Sequence, residues 1–255
     1  VAGGSSRVGW RLTAKLEAQL GVLYNRISLR APHRFESPAP PYNPRSGDLV
    51  LLQANFLYDR TVAPEGLRRG TTLRVFDELA DNLWGSTFDY VKLDFQLGLF
   101  GQFFRTYPSA SVRVVLTYPT SSTGVPITQL LRIGGSDLRG YFTDELHGDT
   151  LASVQLAEQV PLLRNIVLPW VGARFNLALA VFSDTAMVLE RHPGGTTVVD
   201  LMQNKDVRAH LHSGAGAGLR VLLPGVAIPA LRLDVSYGFD VASVAFNLSI
   251  ATAVL

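Results

Sequence analysis

The chain has no cysteine among its 255 residues, and only 17% of them are charged. Without cysteine, a disulfide framework, a thiolate metal site and a cysteine nucleophile are all excluded. Basic and acidic residues nearly balance, with a formal net charge of +2, and the basic residues are scattered singly along the chain. Because nucleic-acid binding needs a clustered positive surface, we expect no nucleic-acid partner.

Long apolar runs are missing too, although 47% of the residues are hydrophobic. A membrane-spanning helix needs about 20 consecutive apolar residues. The best candidate, 166–182, is interrupted by Pro169, Arg174 and Asn176, and residues 1–10 lack the apolar core of a signal peptide. The sequence therefore predicts no transmembrane helix, so the apolar residues must be presented by another kind of structure.

The sequence is instead rich in alternation of apolar and polar residues. Val91, Leu93 and Phe95, for example, alternate with Lys92 and Asp94. Successive side chains of a strand point to opposite faces, so this pattern indicates β-strands with one apolar and one polar face. We predict about ten strands, with boundaries good to a few residues, at 8–30, 48–61, 70–79, 89–104, 110–120, 149–160, 166–185, 213–223, 230–240 and 242–254.

The first predicted strand is unusually long. Its apolar phase changes between Val22 and Leu23. It is therefore either one strand with a bulge at that point or two strands joined at Gly21.

Two all-β architectures produce such alternation, a soluble β-sandwich or lipocalin-like barrel and an outer-membrane barrel. In the soluble proteins the apolar face fills the interior, whereas in a membrane barrel it faces lipid and the polar face lines a wet lumen. Predicted strands of roughly 11 to 16 residues are longer than the five or six typical of sandwiches. Strand length therefore favours a transmembrane antiparallel β-barrel.

The connections between the predicted strands favour the same architecture, since short and long ones alternate as periplasmic turns and extracellular loops do. Counting strands then places the connections 31–47, 80–88, 121–148 and 186–212 outside the cell and Leu255 in the periplasm. The charged residues of the polar face would line the lumen, and these are Lys92, Asp94, Arg113, Arg174, Arg220, Arg232 and Asp234.

A polar segment punctuated by glycine, 132–141, lies within the long connection 121–148. Gly134, Gly135 and Gly140 permit backbone angles that other residues avoid, which suits a tight fold that holds one side chain in place. The side chain that this segment presents is that of Arg139. We therefore interpret the segment as a functional loop.

Four motifs are similar, in order and spacing, to motifs of the BamA/TamA superfamily of outer-membrane protein insertases and two-partner-secretion transporters. Gly134-Gly135 followed by Leu138-Arg139-Gly140-Tyr141 resembles the glycine pair and [VL]-R-G-[FY] signature of the sixth extracellular loop, and Phe182-Ser183-Asp184-Thr185-Ala186 resembles the F-x-D-x-G motif. Tyr58-Asp59-Arg60 with Arg69-Gly70-Thr71 resembles the Y-D-x-R-D…R-G hairpin, and 213–220 with 231–234 resembles the closing hairpin. The resemblance covers residues 48–255.

The resemblance implies that the loop folds back into the lumen, where Arg139 pairs with Asp184. The residues of this loop anchor are Gly134, Gly135, Leu138, Arg139, Gly140, Tyr141, Phe182 and Asp184. A guanidinium and a carboxylate in a partly dehydrated lumen form a charge-assisted pair, and removing one partner of a fully buried pair costs roughly 3–5 kcal/mol.

The resemblance also implies a domain organisation, because the barrel of the family has 16 strands. Residues 1–255 would be one transmembrane barrel domain, the C-terminal part of a larger barrel, with no POTRA domain in this chain. Three departures from the family pattern are visible. Ala186 replaces the final glycine of F-x-D-x-G, Ala157 stands where glutamate is usual, and 241–255 contains no glycine and ends in leucine.

The function implied by the resemblance is protein insertion, assembly or secretion at the outer membrane of Gram-negative bacteria, without enzymatic activity, cofactor or metal. Expected partners are outer-membrane lipid, unfolded outer-membrane or secreted proteins, and other subunits of an assembly complex. The alternative is a passive outer-membrane channel or structural barrel without translocase activity. A barrel hydrolase is less favoured, because the histidines fall in or beside predicted loops and no G-x-S-x-G elbow accompanies them.

Overall fold

The computed structural model describes residues 2–28, 42–43, 46–121, 124–129, 131–135, 137–143, 145–148, 150–168, 173–189, 211–226 and 229–250. They contain one antiparallel sheet of eleven strands, in which each strand pairs with the one before and the one after it in the chain. The strands are β1 (Ala2–Thr13), β2 (Leu16–Ile27), β3 (Gly47–Asp59), β4 (Gly70–Ala80), β5 (Tyr90–Phe100), β6 (Tyr107–Pro119), β7 (Thr150–Leu168), β8 (Ala173–Leu189), β9 (Leu211–Leu222), β10 (Leu231–Gly238) and β11 (Ser243–Ile250).

Smaller elements lie in the connections. Tyr42–Asn43 pairs in parallel with Val125–Pro126, and Leu131–Ile133 pairs in antiparallel fashion with Leu146–Gly148. Short 3₁₀ turns cover Asn82–Trp84 and Ile127–Gln129. Over the described residues, no helix is long and apolar enough to cross a membrane.

The predicted all-β fold is confirmed, and the first predicted strand is two strands. They are joined at Ala14 and Lys15 and not at Gly21, and there is no bulge at Val22. A two-residue turn alone would exchange the faces of even- and odd-numbered residues, because Thr13 lies opposite Leu16. The irregular pairing between Arg11 and Thr13 adds one residue on β1 and reverses that exchange, so the even-numbered side chains of β1 and β2 share a face. The phase change arises because Leu23 faces inwards, against an apolar cluster.

The turn predicted at 161–165 is also wrong, because β7 continues through it to Leu168. Pro161 lies beyond Gln159, the last residue of β7 that pairs with β6. From there onwards β7 has only β8 as a neighbour, and proline is tolerated in a strand where one side is unpaired. Irregular pairing between Pro161 and Ile166 absorbs the disturbance.

The two faces of the sheet differ in polarity, and the apolar face is the exposed one. On β8, Val181 is 46% exposed, whereas Asp184 on the opposite face is 1% exposed. On β10, Leu233 is 44% exposed and Asp234 is 0% exposed. A soluble barrel has the reverse arrangement, since its apolar face fills the interior. An exposed apolar face along whole strands fits lipid contact, so the sheet is the wall of a transmembrane barrel.

The three longest connections, 28–46, 120–149 and 190–210, all lie at the same end of the sheet. At one end lie 28–46, 81–89, 120–149, 190–210 and 239–242, and at the other lie 14–15, 60–69, 101–106, 169–172 and 223–230. The predicted loops 31–47 and 186–212 and the terminal Leu255 fall largely or wholly outside the described residues. Within those residues the sheet does not close, because β1 and β11 each pair with one strand only.

Apolar side chains on the inner face are gathered near the ends of the strands. Two clusters lie at the end with long connections, one around Phe88 and Tyr90 and one around Leu138 and Leu151. The middle of the inner face carries the charged and amide side chains. These clusters support the loop that carries the predicted site.

Candidate functional site

The loop between β6 and β7, residues 120–149, turns back against the inner face of the sheet. Its base is the short strand pair Leu131–Ile133 and Leu146–Gly148. Gly135 has a φ of +62°, and its amide donates to the carbonyl oxygen of Tyr141 at 3.0 Å, which closes the tip. Residues with a side chain rarely adopt that φ, which explains a glycine at this position.

Arg139, at the loop tip, binds Asp184 on the inner face of β8. Its Nε donates to Oδ2 at 2.6 Å, and its Nη2 donates to Oδ1. The backbone amide of Arg139 donates to the same Oδ2 at 3.0 Å. The two side chains are 7% and 0% exposed. A bidentate pair of this kind holds both the position and the orientation of the guanidinium group.

Phe182 supports the same guanidinium from the inner face of β8. The centre of its ring lies 3.7 Å from Cζ of Arg139, a distance typical of a cation–π contact. Phe182 is 6% exposed and precedes Asp184 by two residues, so alternation places both on one face. The two residues singled out in 182–186 therefore contact one and the same side chain.

Asp137 attaches the loop tip to a different part of the wall. Nη1 of Arg113, on β6, lies 3.4 Å from Oδ2 of Asp137, and the same guanidinium donates to Asp94 on β5 at 3.1 and 2.8 Å. Gln155, on β7, donates to the backbone carbonyl of Asp137 at 2.8 Å. The sequence predicts Arg113 and Asp94 as lumen residues but not Asp137 or Gln155, which no motif marks.

Tyr141 attaches the loop to the last strands. Its side chain is buried, and its hydroxyl donates to Oδ1 of Asp240, in the turn between β10 and β11, and lies 3.2 Å from the carbonyl oxygen of Ser213. Oδ2 of Asp240 lies 2.5 Å from Nδ1 of His212, whose ring stands edge-on to the ring of Tyr141. Asp240 and His212 are functional candidates that the sequence does not predict.

Glycines on the inner face of β9 and β10 make room for the loop. A Cβ on Gly214 would overlap the carbonyl oxygen of Arg139, and one on Gly238 would lie 2.7 Å from the carbonyl oxygen of Gly140. A Cβ on Gly216 would lie 2.7 Å from Cζ of Phe182. Glycine at every second position of 214–218 is a signal in the sequence that could have predicted this groove.

Leu138 points away from the charged contacts and is fully buried. It packs with Ile133, Tyr141, Leu151 and Val188, so the same loop tip has a polar and an apolar attachment. Gly134 and Gly135 are buried beside them. All the residues predicted for the loop anchor therefore lie together on the inner side of the sheet.

The other predicted lumen charges also lie on the inner face, in separate groups. Arg220 and Arg232 both bind Asp234, with Nη1 of Arg220 and Nε of Arg232 each 2.5 Å from one of its oxygens. Asp94 and Arg113 form the pair described above. Lys92 faces Glu78 across the β4–β5 register, and Arg174 is exposed near the start of β8.

The hairpin between β3 and β4, residues 60–69, is the second segment that folds inwards, where the sequence predicts only a short turn. Leu67 is 1% exposed and packs against inner-face residues of three strands, Tyr107, Ala178 and Leu222. The hairpin is thus attached to β6, β8 and β9, none of which is one of its own strands.

Glu65 makes further contacts between the hairpin and the wall, through its backbone to β8 and through its side chain to β7. Asn176 donates from its side chain to the carbonyl oxygen of Glu65 at 2.7 Å, and Nη1 of Arg164 lies 3.2 Å from Oε2 of Glu65. The amide of Gly225 donates to the carbonyl oxygen of Ala63 at 3.1 Å. The hairpin therefore crosses the inner side of the barrel from β3–β4 to β8–β9.

The described residues do not suggest a metal centre. Nowhere in the described ranges do three histidine, cysteine, aspartate or glutamate side chains gather closely enough to hold a metal ion. The chemistry that the site offers is ionic and hydrogen-bonded attachment of a loop to a wall.

A comparison of the sequence with protein-family models matches the Omp85 superfamily domain over residues 2–251. The chain belongs to the Omp85 superfamily. This match confirms, at the level of the superfamily, the family assignment made from the loop and strand motifs. Omp85 proteins are outer-membrane β-barrels that take part in protein insertion or secretion, and the exposed apolar wall described above fits that location.

A comparison with solved structures finds similarity to the crystal structure of BamA from Haemophilus ducreyi lacking POTRA domains 1–3. The TM-score is 0.68 at 16% sequence identity, and the match covers 96% of this chain and 53% of that one. The likeness shows the Omp85 barrel fold, and the chain spans about half the length of that protein. The comparison with curated proteins found no match.

Proposed function

We propose that this Omp85 chain acts in the insertion, assembly or secretion of proteins at the outer membrane, through a barrel whose β6–β7 loop is anchored inside the lumen. The observation that supports this most is the buried bidentate pair of Arg139 and Asp184, which holds the loop against the wall. The barrel would work by positioning and strand pairing, without catalytic chemistry.

The domain organisation that we infer is a single barrel domain over residues 1–255, forming the C-terminal part of a larger barrel. The unpaired sides of β1 and β11 within the described sheet support a wall that continues elsewhere. The position of the three longest connections at the same end supports extracellular loops there and a periplasmic C-terminus at the other end.

Substrate recognition would use the backbone of the last strand. β11 pairs with β10 on one side and presents backbone groups on the other side within the described sheet. An unpaired edge accepts an incoming strand through main-chain hydrogen bonds, which read conformation more than sequence. The inferred partners are therefore outer-membrane lipid, unfolded outer-membrane or secreted proteins, and subunits of an assembly complex.

A passive channel or structural barrel is the second candidate. It is favoured by the number of attachments that hold both inward-folded segments. The residues that contact the wall are Asp137, Leu138, Arg139 and Tyr141 of the loop and Ala63, Glu65 and Leu67 of the hairpin. Segments attached in this way suit a static barrel as well as a moving one.

The experiment that separates the two candidates uses the chain reconstituted in lipid vesicles. We expect vesicles that contain it to accelerate the folding of an added unfolded outer-membrane protein, relative to empty vesicles, and we expect Arg139→Gln to reduce that acceleration. Arg174→Gln removes an exposed arginine of the same inner face and serves as the matched control.

Single-channel conductance measured on the same vesicles completes the test. Conductance without any acceleration of substrate folding would support the passive channel and contradict the insertion proposal. Acceleration that survives in Arg174→Gln and is lost in Arg139→Gln supports an active role for the anchored loop.

A further inference from the structure

A cavity of about 510 Å³ lies on the inner face of the sheet, bordered by both inward-folded segments. Its lining includes Arg139 of the loop and Gly66 and Arg68 of the hairpin, and strands β3 to β11 supply the rest together with Pro229. We call it the basic chamber, because the described residues that line it include five arginines and a single carboxylate, namely Arg68, Arg74, Arg139, Arg220, Arg232 and Asp59.

Two of the five arginines are each paired with a carboxylate of their own. Arg139 is paired with Asp184, as described above, and Nη2 of Arg68 lies 3.3 Å from Oδ2 of Asp59. Each of these pairs contributes no net charge to the chamber. The remaining three arginines determine its electrostatic character.

The other three arginines outnumber their acidic partners. Arg220 and Arg232 share the one carboxylate of Asp234, which is 0% exposed. Arg74 donates from Nε to the side-chain oxygen of Asn55 at 3.2 Å, and an amide carries no charge. Among the described residues, two positive charges of the basic chamber are therefore left without a carboxylate.

One hydrogen-bond donor in this group is also unpaired. Nη2 of Arg232 is buried and has no hydrogen-bond partner among the described residues. That nitrogen has almost no accessible surface, so what Arg232 contributes to the chamber is its positive charge, and a positive charge confined by low-dielectric walls attracts anions. The guanidinium group matches the oxygens of phosphate and carboxylate better than it matches a halide, because its donors form a planar fork.

We propose that the basic chamber binds an oxyanion, a phosphate or a carboxylate group, in the positive field of Arg74, Arg220 and Arg232. The volume of the chamber is within the range of about 300–1,000 Å³ that small-molecule sites occupy. A free phosphate ion and the acidic side chains of a peptide segment both carry this chemistry. Arg139 of the loop anchor borders the chamber, but it already has its carboxylate.

The test uses the full chain, folded in detergent micelles, and isothermal titration calorimetry at constant ionic strength. Inorganic phosphate is titrated in one series and a short peptide rich in aspartate and glutamate in another. We expect saturable binding of at least one of them, weakened tenfold or more by Arg232→Gln. We expect no change in Arg174→Gln, since Arg174 shares the inner face but does not line the chamber.

The two titrations also identify the source of the anion. Binding of phosphate supports a site for a small ion, and binding of the peptide alone supports a site for acidic chain segments. No saturable binding of either, or an equal loss in Arg174→Gln, overturns the proposal. If Arg232→Gln does not fold, the exposed Arg74→Gln carries the test with the same expectation.

Discussion

The carboxylate of Asp184 binds Arg139 twice, through the guanidinium group and through the main-chain amide of the same residue. Oδ2 accepts from both the amide nitrogen and Nε, at 3.0 and 2.6 Å. A side-chain pair alone would restrain the arginine head group. The additional main-chain hydrogen bond restrains the loop backbone itself, so the position of the loop depends directly on one residue of β8.

A charge-swap series tests the anchor. Arg139→Asp and Asp184→Arg each leave a buried charge facing a like charge, and we expect each to destabilise the barrel by at least the roughly 3–5 kcal/mol of a broken buried pair. The double variant restores opposite charges, so we expect it to recover part of the loss. Heat-modifiable migration on gels and urea unfolding measure the effect. Silent single variants would contradict the anchoring role.

Gly214→Ala tests the groove that receives the loop. The new Cβ would overlap the carbonyl oxygen of Arg139, and overpacking of this kind costs typically about 1–3 kcal/mol. We expect the loop to be displaced and to become more sensitive to protease. Gly4→Ala is the matched control, because a Cβ there has nothing within 4 Å. Equal protease sensitivity of the two variants would show that the groove does not position the loop.

Tyr141→Phe tests the attachment of the loop to the β10–β11 turn. The change removes the hydroxyl that binds Asp240 and Ser213 while it keeps the ring. Loss of a hydrogen bond to a charged group costs about 1.5–3 kcal/mol, so we expect a lower urea midpoint. Tyr237→Phe, on the exposed apolar face, is the control. An unchanged midpoint for Tyr141→Phe would contradict a stabilising contact.

A pair of adjacent substitutions tests which face of the wall contacts lipid. Phe246 lies on the exposed face of β11, and Asn247 lies on the inner face opposite Asp234. An arginine on the lipid face near the middle of the bilayer costs about 2–4 kcal/mol. We therefore expect Phe246→Arg to impair folding into vesicles and Asn247→Arg to be tolerated. The reverse order would mean that the apolar face is not in contact with lipid.

Leu67→Ala tests the inward-folded hairpin. Truncating a leucine that is 1% exposed leaves a cavity among Tyr107, Ala178 and Leu222, and such changes cost about 2–5 kcal/mol. Val62→Ala, in the same hairpin but 62% exposed, should change stability by less than about 0.5 kcal/mol. Urea unfolding of both variants measures the difference. A similar small effect for both would show that the hairpin is not packed inside the barrel.

Much of the sheet could be predicted from the sequence, because the face on which a side chain lies follows from the local geometry of its strand. Alternation assigns each side chain of a strand to one of two faces from its position alone, and this placed Asp94, Arg113, Arg220 and Asp234 on the inner face. The same alternation concealed the turn at Ala14 and Lys15, because the irregular pairing between Arg11 and Thr13 offsets the change of face that a two-residue turn produces. Nothing in the residue types marks that turn, since neither glycine nor asparagine occurs there.

The sequence by itself determined the all-β class, the polarity of the two faces and, through the motifs, the identity of the loop that folds inwards. Only the tertiary structure decided which strands that loop and the inward-folded hairpin 60–69 contact. Tyr141 and Asp240 are 99 residues apart, and Asn176 and Glu65 are 111 residues apart. Such contacts depend on the curvature of the sheet and on the stagger of its strands. The alternation of apolar and polar residues determines neither of these.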